Sequence, residues 1–217
     1  MEIKVLIVDD HKIMREGLSK LLRNKANINV IGEAENGREA LNMTKTYNPN
    51  VVLMDVVMPI LNGIEATKII LNDSPEIRVI ALSSHSAKEY VTGMLGAGAS
   101  GYILKDCAFD ELVQAIESVY SKHTYLSREI ADVVVSEYLN NNHVAQRNNP
   151  EELTPREKEV LQLISEGNST KQIATNLFVS IKTVESYRQR IMQKLNRFSV
   201  PELTKYAIRM GWTSLEN

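Results

Sequence analysis

Apolar residues in this chain follow two rhythms. Over the first half five short apolar runs recur: Val5-Leu6-Ile7-Val8, Val30-Ile31-Gly32, Val51-Val52-Leu53-Met54, Val79-Ile80-Ala81-Leu82 and Gly101-Tyr102-Ile103-Leu104. Continuous runs of this length suit strands buried on both faces of a parallel sheet. Each is followed by a stretch of helical spacing. Ile13, Leu18, Leu21 and Leu22 predict one apolar helix face, and further helices are predicted over residues 37–47, 62–71, 87–95 and 109–120. Alternating strand and helix predicts a doubly wound α/β domain on a five-stranded parallel sheet. Right-handed crossovers then bring all five strand ends to one edge.

The rhythm changes after residue 122. Ile130, Val133, Val134 and Tyr138 give residues 123–139 a helical pattern. The polar run 140–150, Asn-rich and ending in Pro150, reads as a flexible tether between domains. From Leu153 on, every apolar spacing is helical. Thr154 as N-cap, Pro155 in the first turn and Glu157 as capping-box partner open a helix carrying Val160, Leu161 and Ile164, and Gly167 ends it. Ser169 or Thr170 opens a second helix with Ile173, Ala174 and Leu177 inward. After a turn at Phe178-Val179-Ser180, a third runs from near Ile181 to Leu195 with Val184, Ile191 and Leu195 inward. A fourth follows Pro201, with Leu203, Tyr206, Ala207 and Met210 at helical spacing. Two short helices joined by a tight turn, the second rich in cations, make a helix-turn-helix. The expected organisation is an α/β domain over 1–122, a helix and flexible linker over 123–150, and a small all-α tetrahelical domain over 151–217.

Charge sharpens the second half more than the first. The 217-residue chain carries a net charge of only −2, so no global basic character points to nucleic acid. Between residues 182 and 209, however, seven cations face two carboxylates, a local net of +5. A cationic face is what phosphate contacts need, although solvated charges on an ordinary amphipathic helix give the same count. A single cysteine, Cys107, fits a reducing compartment. The N-terminal apolar run is short and is cut off by two aspartates, so neither a signal peptide nor a membrane span is expected, and a cytoplasmic location is.

Chemistry gathers at the predicted sheet edge. Strand one ends in Asp9-Asp10, strand three in Asp55, strand four in Ser83 and strand five in Lys105. Ligands of open α/β sheets bind beyond the carboxyl ends of the strands. Converging carboxylates repel one another and raise a pKa unless a cation relieves them, and an oxygen-only site with room for water suits Mg²⁺. A carboxylate there can also accept a phosphoryl group, with Mg²⁺, an ammonium and a hydroxyl as stabilisers. Taken singly, each residue has a plainer reading: Asp9 or Asp10 as a helix cap, Lys105 as a solvated charge, Ser83 as a strand-end hydroxyl, Tyr102 as a half-buried aromatic. Their placement at the ends of four strands favours the site. His11 and His85 border it without an expected metal role.

The set Asp9, Asp10, Asp55, Pro59, Gly63, Ser83, Tyr102 and Lys105, in that order and spacing, resembles the CheY-like receiver domain of two-component response regulators over residues 1–122. The resemblance implies that Asp55 is the phosphoacceptor, loaded by a sensor histidine kinase or a small phosphodonor. It also implies that Asp9, Asp10, Asp55 and the backbone carbonyl of Val57 hold Mg²⁺. Lys105 would pair with the phosphoryl group, Ser83 would move to bond it, and Tyr102 would swing inward as the aromatic member of a switch. The family often has threonine at Ser83 and aspartate at Asn62; neither difference removes a phosphorylation group.

The stretch LTPREKEVLQLISEGNSTKQIATNLFVSIKTVESYRQRIMQKL resembles the LuxR-type tetrahelical DNA-binding domain, and the whole chain is similar to NarL/FixJ-type response regulators. That resemblance implies that helix 183–195 enters the major groove of double-stranded DNA. Glu185, Ser186 and Gln189 would face bases, Lys182, Thr183, Arg188, Arg190 and Lys194 would face the backbone, and the last helix would hold a homodimer on two-fold sites. Trp212 is expected to pack rather than touch DNA. Two other readings differ at identifiable points. A haloacid-dehalogenase-type phosphatase needs a second acid two residues after its nucleophile, where this chain has Val57. A receiver that no longer responds to phosphate would not need a complete acidic pocket.

Overall fold

The computed structural model describes residues 2–141 and 153–213, which fall into two compact units, Met1–Asn141 and Asn142–Asn217. The first alternates strand and helix: β1 (Ile3–Val8), α1 (Lys12–Leu22), β2 (Ile28–Ala34), α2 (Gly37–Tyr47), β3 (Val51–Asp55), α3 (Gly63–Asp73), β4 (Arg78–Ser83), α4 (Lys88–Gly96), β5 (Gly101–Leu104) and α5 (Phe109–Tyr120). The sheet order is β2-β1-β3-β4-β5, continued by a further strand, and every pairing is parallel. All five residues of the central strand β3 are buried, as a sheet covered on both faces requires. Register sets up the site. Val8 pairs with Met54, so Asp9 and Asp55 each come next at the same level. Ser83 pairs with Leu104, the residue before Lys105.

Two differences from the expected pattern have physical causes. The sheet has six strands rather than five, because residues after α5 return beside β5 as β6 (Tyr125–Leu126), with the Ser127 amide donating to the Tyr102 carbonyl at 3.1 Å. A two-residue strand carries too little periodicity to be read. Helix α6 (Arg128–Asn141) follows, with Ile130 fully buried and Val133 and Val134 packed on the same core. The expected tether, residues 140–150, begins inside this helix and from residue 142 lies outside the described residues. In α1 only part of the expected apolar face is inward: Leu22 is buried and Leu18 packs against the core, but Ile13 is 89% exposed and Leu21 47%, and Arg15 and Ser19 are buried in their stead.

The second unit is a helical bundle of α7 (Pro155–Ser165), α8 (Thr170–Asn176), α9 (Ile181–Leu195) and α10 (Val200–Arg209). Capping boxes at Thr154/Glu157, Ser169/Gln172 and Ser199/Glu202 start three of these helices, each N-cap contributing about 1 kcal/mol. Val160, Leu161, Ile173, Val184, Ile191, Leu203 and Ala207 form the core. Trp212 closes it, 6% exposed and edge-on to Tyr206, a packing role as expected. No described helix is long and apolar enough to cross a membrane.

Candidate functional site

At the carboxyl edge of the sheet, charges meet almost out of water. Asp55 is 4% exposed and Asp9 1%. The Lys105 ammonium lies 2.6 Å from Asp55 Oδ2 and 2.8 Å from Asp9 Oδ2. Asp9 Oδ1 accepts the His11 amide at 2.8 Å. The His11 ring Nδ1 stands 3.2 Å from that oxygen and 2.9 Å from Asp10 Oδ1. Burial drives the Asp55 carboxyl up to about 6; Lys105 pulls it back, and Asp9 and Asp10 push it further up. Burial alone would lower Lys105, but the Asp55 and Asp9 carboxylates outweigh it and hold the ammonium above its usual range. The Lys105 ammonium meets two of the three clustered carboxylates, and the set is short of positive charge.

That shortage fits a divalent cation. One ligand atom each from Asp9, Asp10, His11 and Asp55 lies within 4.8 Å of the others. Asp9 Oδ2 and Asp10 Oδ1 are buried but accept no hydrogen bond of good geometry, despite the nearby Lys105 and His11 nitrogens. Buried oxygens in that condition are poised for a metal ion. The grouping adds His11, for which no role was expected. Arg15 was also not anticipated. Its guanidinium, buried on α1, donates to the Asp9 carbonyl at 2.6 Å and to Glu35 at 2.7 Å, holding the β1–α1 loop from behind. Its place four residues before Ser19 and seven before Leu22 is the helical signal that could have identified it, had a charged residue been admitted to an inner face.

The loop after β3 is shaped by backbone demands. A Cβ on Gly63 would run into the Asp55 carbonyl oxygen, and the Gly63 amide donates to Val56 O at 2.9 Å, just before half-buried Val57. Pro59, Ile60 and Leu61 form a γ-turn, with Leu61 N bonded to Pro59 O at 2.8 Å and Ile60 at φ 71°. A β-branched residue is strained there. Asn62 caps α3 by accepting Glu65 N.

Ser83 is fully buried, and its hydroxyl accepts the His85 amide at 3.1 Å. Tyr102 is also fully buried and donates its hydroxyl to the His85 carbonyl at 2.7 Å. The expected inward swing therefore has no outward starting position in this structure. Burial raises the Tyr102 phenol well above its usual range, so it remains a donor. The His85 ring stacks on Tyr90 of α4 at 4.9 Å. Beside the pocket, Ile13, Met14, Leu18 and Leu21 line an open groove of about 420 Å³ that also touches Lys105.

In the helical unit α9 divides cleanly. Val184 and Ile191 are buried, Leu195 is partly so, and Lys182, Glu185, Ser186, Gln189 and Arg190 are exposed, with Thr183 and Arg188 half-buried. Ser180 caps the helix through Thr183 N at 3.1 Å. The Ser186 hydroxyl is turned back to the Lys182 carbonyl at 3.0 Å. Lys194, expected to face the DNA backbone, reaches Glu157 Oε2 at 2.7 Å and ties α9 to α7. Burial would raise Glu157, but the bonds from Lys194 and Thr154 keep it below the ordinary range. Long-range ion pairs of this kind leave no spacing signature in the sequence.

Residues 5–117 match the family model described as the response regulator receiver domain, and residues 151–207 the one described as bacterial regulatory proteins, luxR family. Transcriptional regulatory protein DegU of Brevibacillus brevis is 34% identical over 227 residues, covering 99% of this chain and 96% of its own. Oxygen regulatory protein NreC of Staphylococcus carnosus is 37% identical over 211 residues, covering 95% and 97%. A LuxR-family two-component response regulator from Aurantimonas sp. superposes with a TM-score of 0.61 at 32% identity over 64% of this chain and 99% of its own. RcsB from Salmonella enterica serovar Typhimurium, bound to promoter rprA in the presence of a phosphomimetic, superposes with a TM-score of 0.59 at 26% identity over 95% and 98%.

Proposed function

The chain belongs to the response regulators that join a receiver domain to a LuxR-family DNA-binding domain, and from that premise we propose that a phosphoryl group on Asp55 governs how its helical domain pairs and grips DNA. The family consists of transcription regulators rather than enzymes, so the chemistry is confined to loading and unloading one carboxylate. The observation that carries the reading is the meeting of Lys105 with Asp55 and Asp9 at 2.6 and 2.8 Å in a buried acidic pocket.

An Asp55 oxygen attacks the phosphorus of a phosphohistidine on a sensor kinase, or of a small donor such as acetyl phosphate. The bond from phosphorus to the donor atom breaks and its electron pair leaves with the donor, an imidazole then taking up a proton; Asp55 becomes an acyl phosphate. Asp9, Asp10, Asp55 and the carbonyl of Val57 are the groups that would hold Mg²⁺. When bound, it neutralises charge on the phosphoryl oxygens. Lys105 exchanges its carboxylate partner for a phosphoryl oxygen, and the Ser83 hydroxyl donates to another. The apolar groove along α1, opening beside Lys105, suits a helix of the donor protein.

Moving Ser83 disturbs His85, whose carbonyl accepts the Tyr102 hydroxyl and whose ring stacks on Tyr90. Tyr102 also bonds through its carbonyl to the start of α6. The phosphoryl group thereby biases an equilibrium of the α4, β5 and α6 face that exists without it. The helical domain is read as binding two-fold DNA sites as a homodimer through α10. Glu185, Ser186 and Gln189 would be aimed at bases and Lys182, Thr183, Arg188 and Arg190 at phosphates, in the cytoplasm. Incubation of the full chain with acetyl phosphate and Mg²⁺ should add one phosphoryl mass, and Asp55→Asn should abolish it. Persistent labelling of that variant would remove Asp55 from its role.

A further inference from the structure

The four helices of the second unit end alike. Each closes with an amide bonded five residues back: Asn168 to Leu163, Val179 to Ala174, Arg197 to Met192, and Trp212 to Ala207. Each places one residue just before that amide at positive φ: Gly167 at 81°, Phe178 at 53°, Asn196 at 49° and Gly211 at 71°. This closure favours glycine, or asparagine, whose short side chain tolerates the left-handed region. Three ends obey the preference and α8 does not. Phe178 is moreover 96% exposed, the most exposed large apolar side chain among the described residues. Its backbone is strained and its ring is left in water, so neither local conformation nor the core accounts for it. Strain with no internal return points to an external partner.

The position of the ring identifies that partner. Phe178 lies two residues before Ser180, the N-cap of α9. Helices of this motif enter the major groove N-terminus first, which sets the preceding turn at the groove's rim. Ile181, in the first turn of α9, is also 48% exposed and continues the apolar strip, while Lys182, Gln189 and Arg190 give the same helix an exposed polar and cationic face. We propose that Phe178 is a DNA-contact residue, resting its ring on the apolar surface of the duplex beside the groove, either a deoxyribose face or a thymine methyl. This inference rests on the DNA-binding reading above and adds an uncharged contact to it.

The test compares the full chain, phosphorylated by acetyl phosphate, with Phe178→Asn and Phe178→Leu on a mixed-sequence DNA duplex at several salt concentrations. Trp212, the only tryptophan in the chain and buried in the helical unit, reports that unit's unfolding by fluorescence. Phe178→Asn should raise the unfolding midpoint yet weaken DNA binding roughly threefold to tenfold, with an unchanged salt slope, since an uncharged ring displaces no counterion. Phe178→Leu should keep most of the affinity. On a duplex with uracil in place of thymine, an equal loss assigns the contact to deoxyribose and a vanished loss assigns it to the methyl. Unchanged affinity of Phe178→Asn, or loss of affinity together with stability, overturns the proposal. Arg190→Ala run alongside separates failures: if it too binds like the parent, the DNA-facing assignment of α9 fails independently of Phe178.

Discussion

The receiver pocket and the outward face of α9 both gather charged side chains, and they hold them in opposite environments. In the pocket Asp9, Asp55 and the Lys105 side chain are all under 10% exposed, so each charge is felt strongly by the others. On α9, Lys182, Glu185, Gln189 and Arg190 stand in solvent, where water and salt screen them. The first arrangement makes a switch: one added charge in a low-dielectric pocket has consequences of several kcal/mol. The second suits the proposed reader, in which individual contacts are weak and specificity comes from their sum.

Substitutions should therefore act steeply in the pocket and gently on the helix. Lys105→Met removes the only ammonium that meets the Asp55 carboxylate among the described residues, and labelling by acetyl phosphate should slow by about a hundredfold, as for loss of one preorganised stabiliser. A rate near that of the parent would mean that Lys105 is only a structural ion-pair partner. Proton competition gives the next effect. With the Asp55 carboxyl at about 6, the affinity for Mg²⁺, measured calorimetrically, should be flat above that pH and fall up to about tenfold per unit below it. A flat profile down to pH 5 would contradict the raised value.

The same shift has a sign for stability. Between the ordinary 3.8 and about 6 the folded chain holds a proton that the unfolded chain has released. Stability is therefore lost as pH rises through that window and stays lost at neutrality. Asp55→Asn should stabilise the metal-free receiver unit by about 1–3 kcal/mol at pH 7.5, with the gain fading toward pH 4, as followed by circular dichroism on melting. Equal gains at both pH values would point to packing instead of ionisation. On α9 the changes are smaller. Gln189→Ala should alter base preference by about 1 kcal/mol, whereas Arg190→Ala should weaken all sequences alike and flatten the salt dependence by about one counterion. Indistinguishable profiles for the two would erase the division between base-facing and backbone-facing positions.

Much of this was legible because strands buried on both faces advertise themselves as apolar runs, and the residues that end those runs, Asp9, Asp55, Ser83 and Lys105, stand out against them. The pocket could be assembled from linear order because a parallel sheet brings all such ends to one edge. What escaped follows the same logic. Arg15 is buried through its guanidinium bonds, and Ile13 and Leu21 are exposed beside the pocket, so apolarity located only the Leu18 and Leu22 part of the inner face of α1. Strand β6 consists of two residues held by backbone bonds to β5, which no side-chain pattern encodes. Lys194 looked like its cationic neighbours until its partner 37 residues away was in view. The turn at Phe178 was legible, but its left-handed backbone was not, because φ is invisible in a sequence.

The central claim is that charge placed on Asp55 is felt by α9. The most direct measurement is DNA affinity of the full chain with Mg²⁺, with and without beryllofluoride, for the parent and for Asp55→Asn. A gain of about tenfold, within the usual range of coupling between sites, is predicted for the parent and none for the variant. An affinity that ignores beryllofluoride in the parent, or that responds to it equally in the variant, would contradict the coupling.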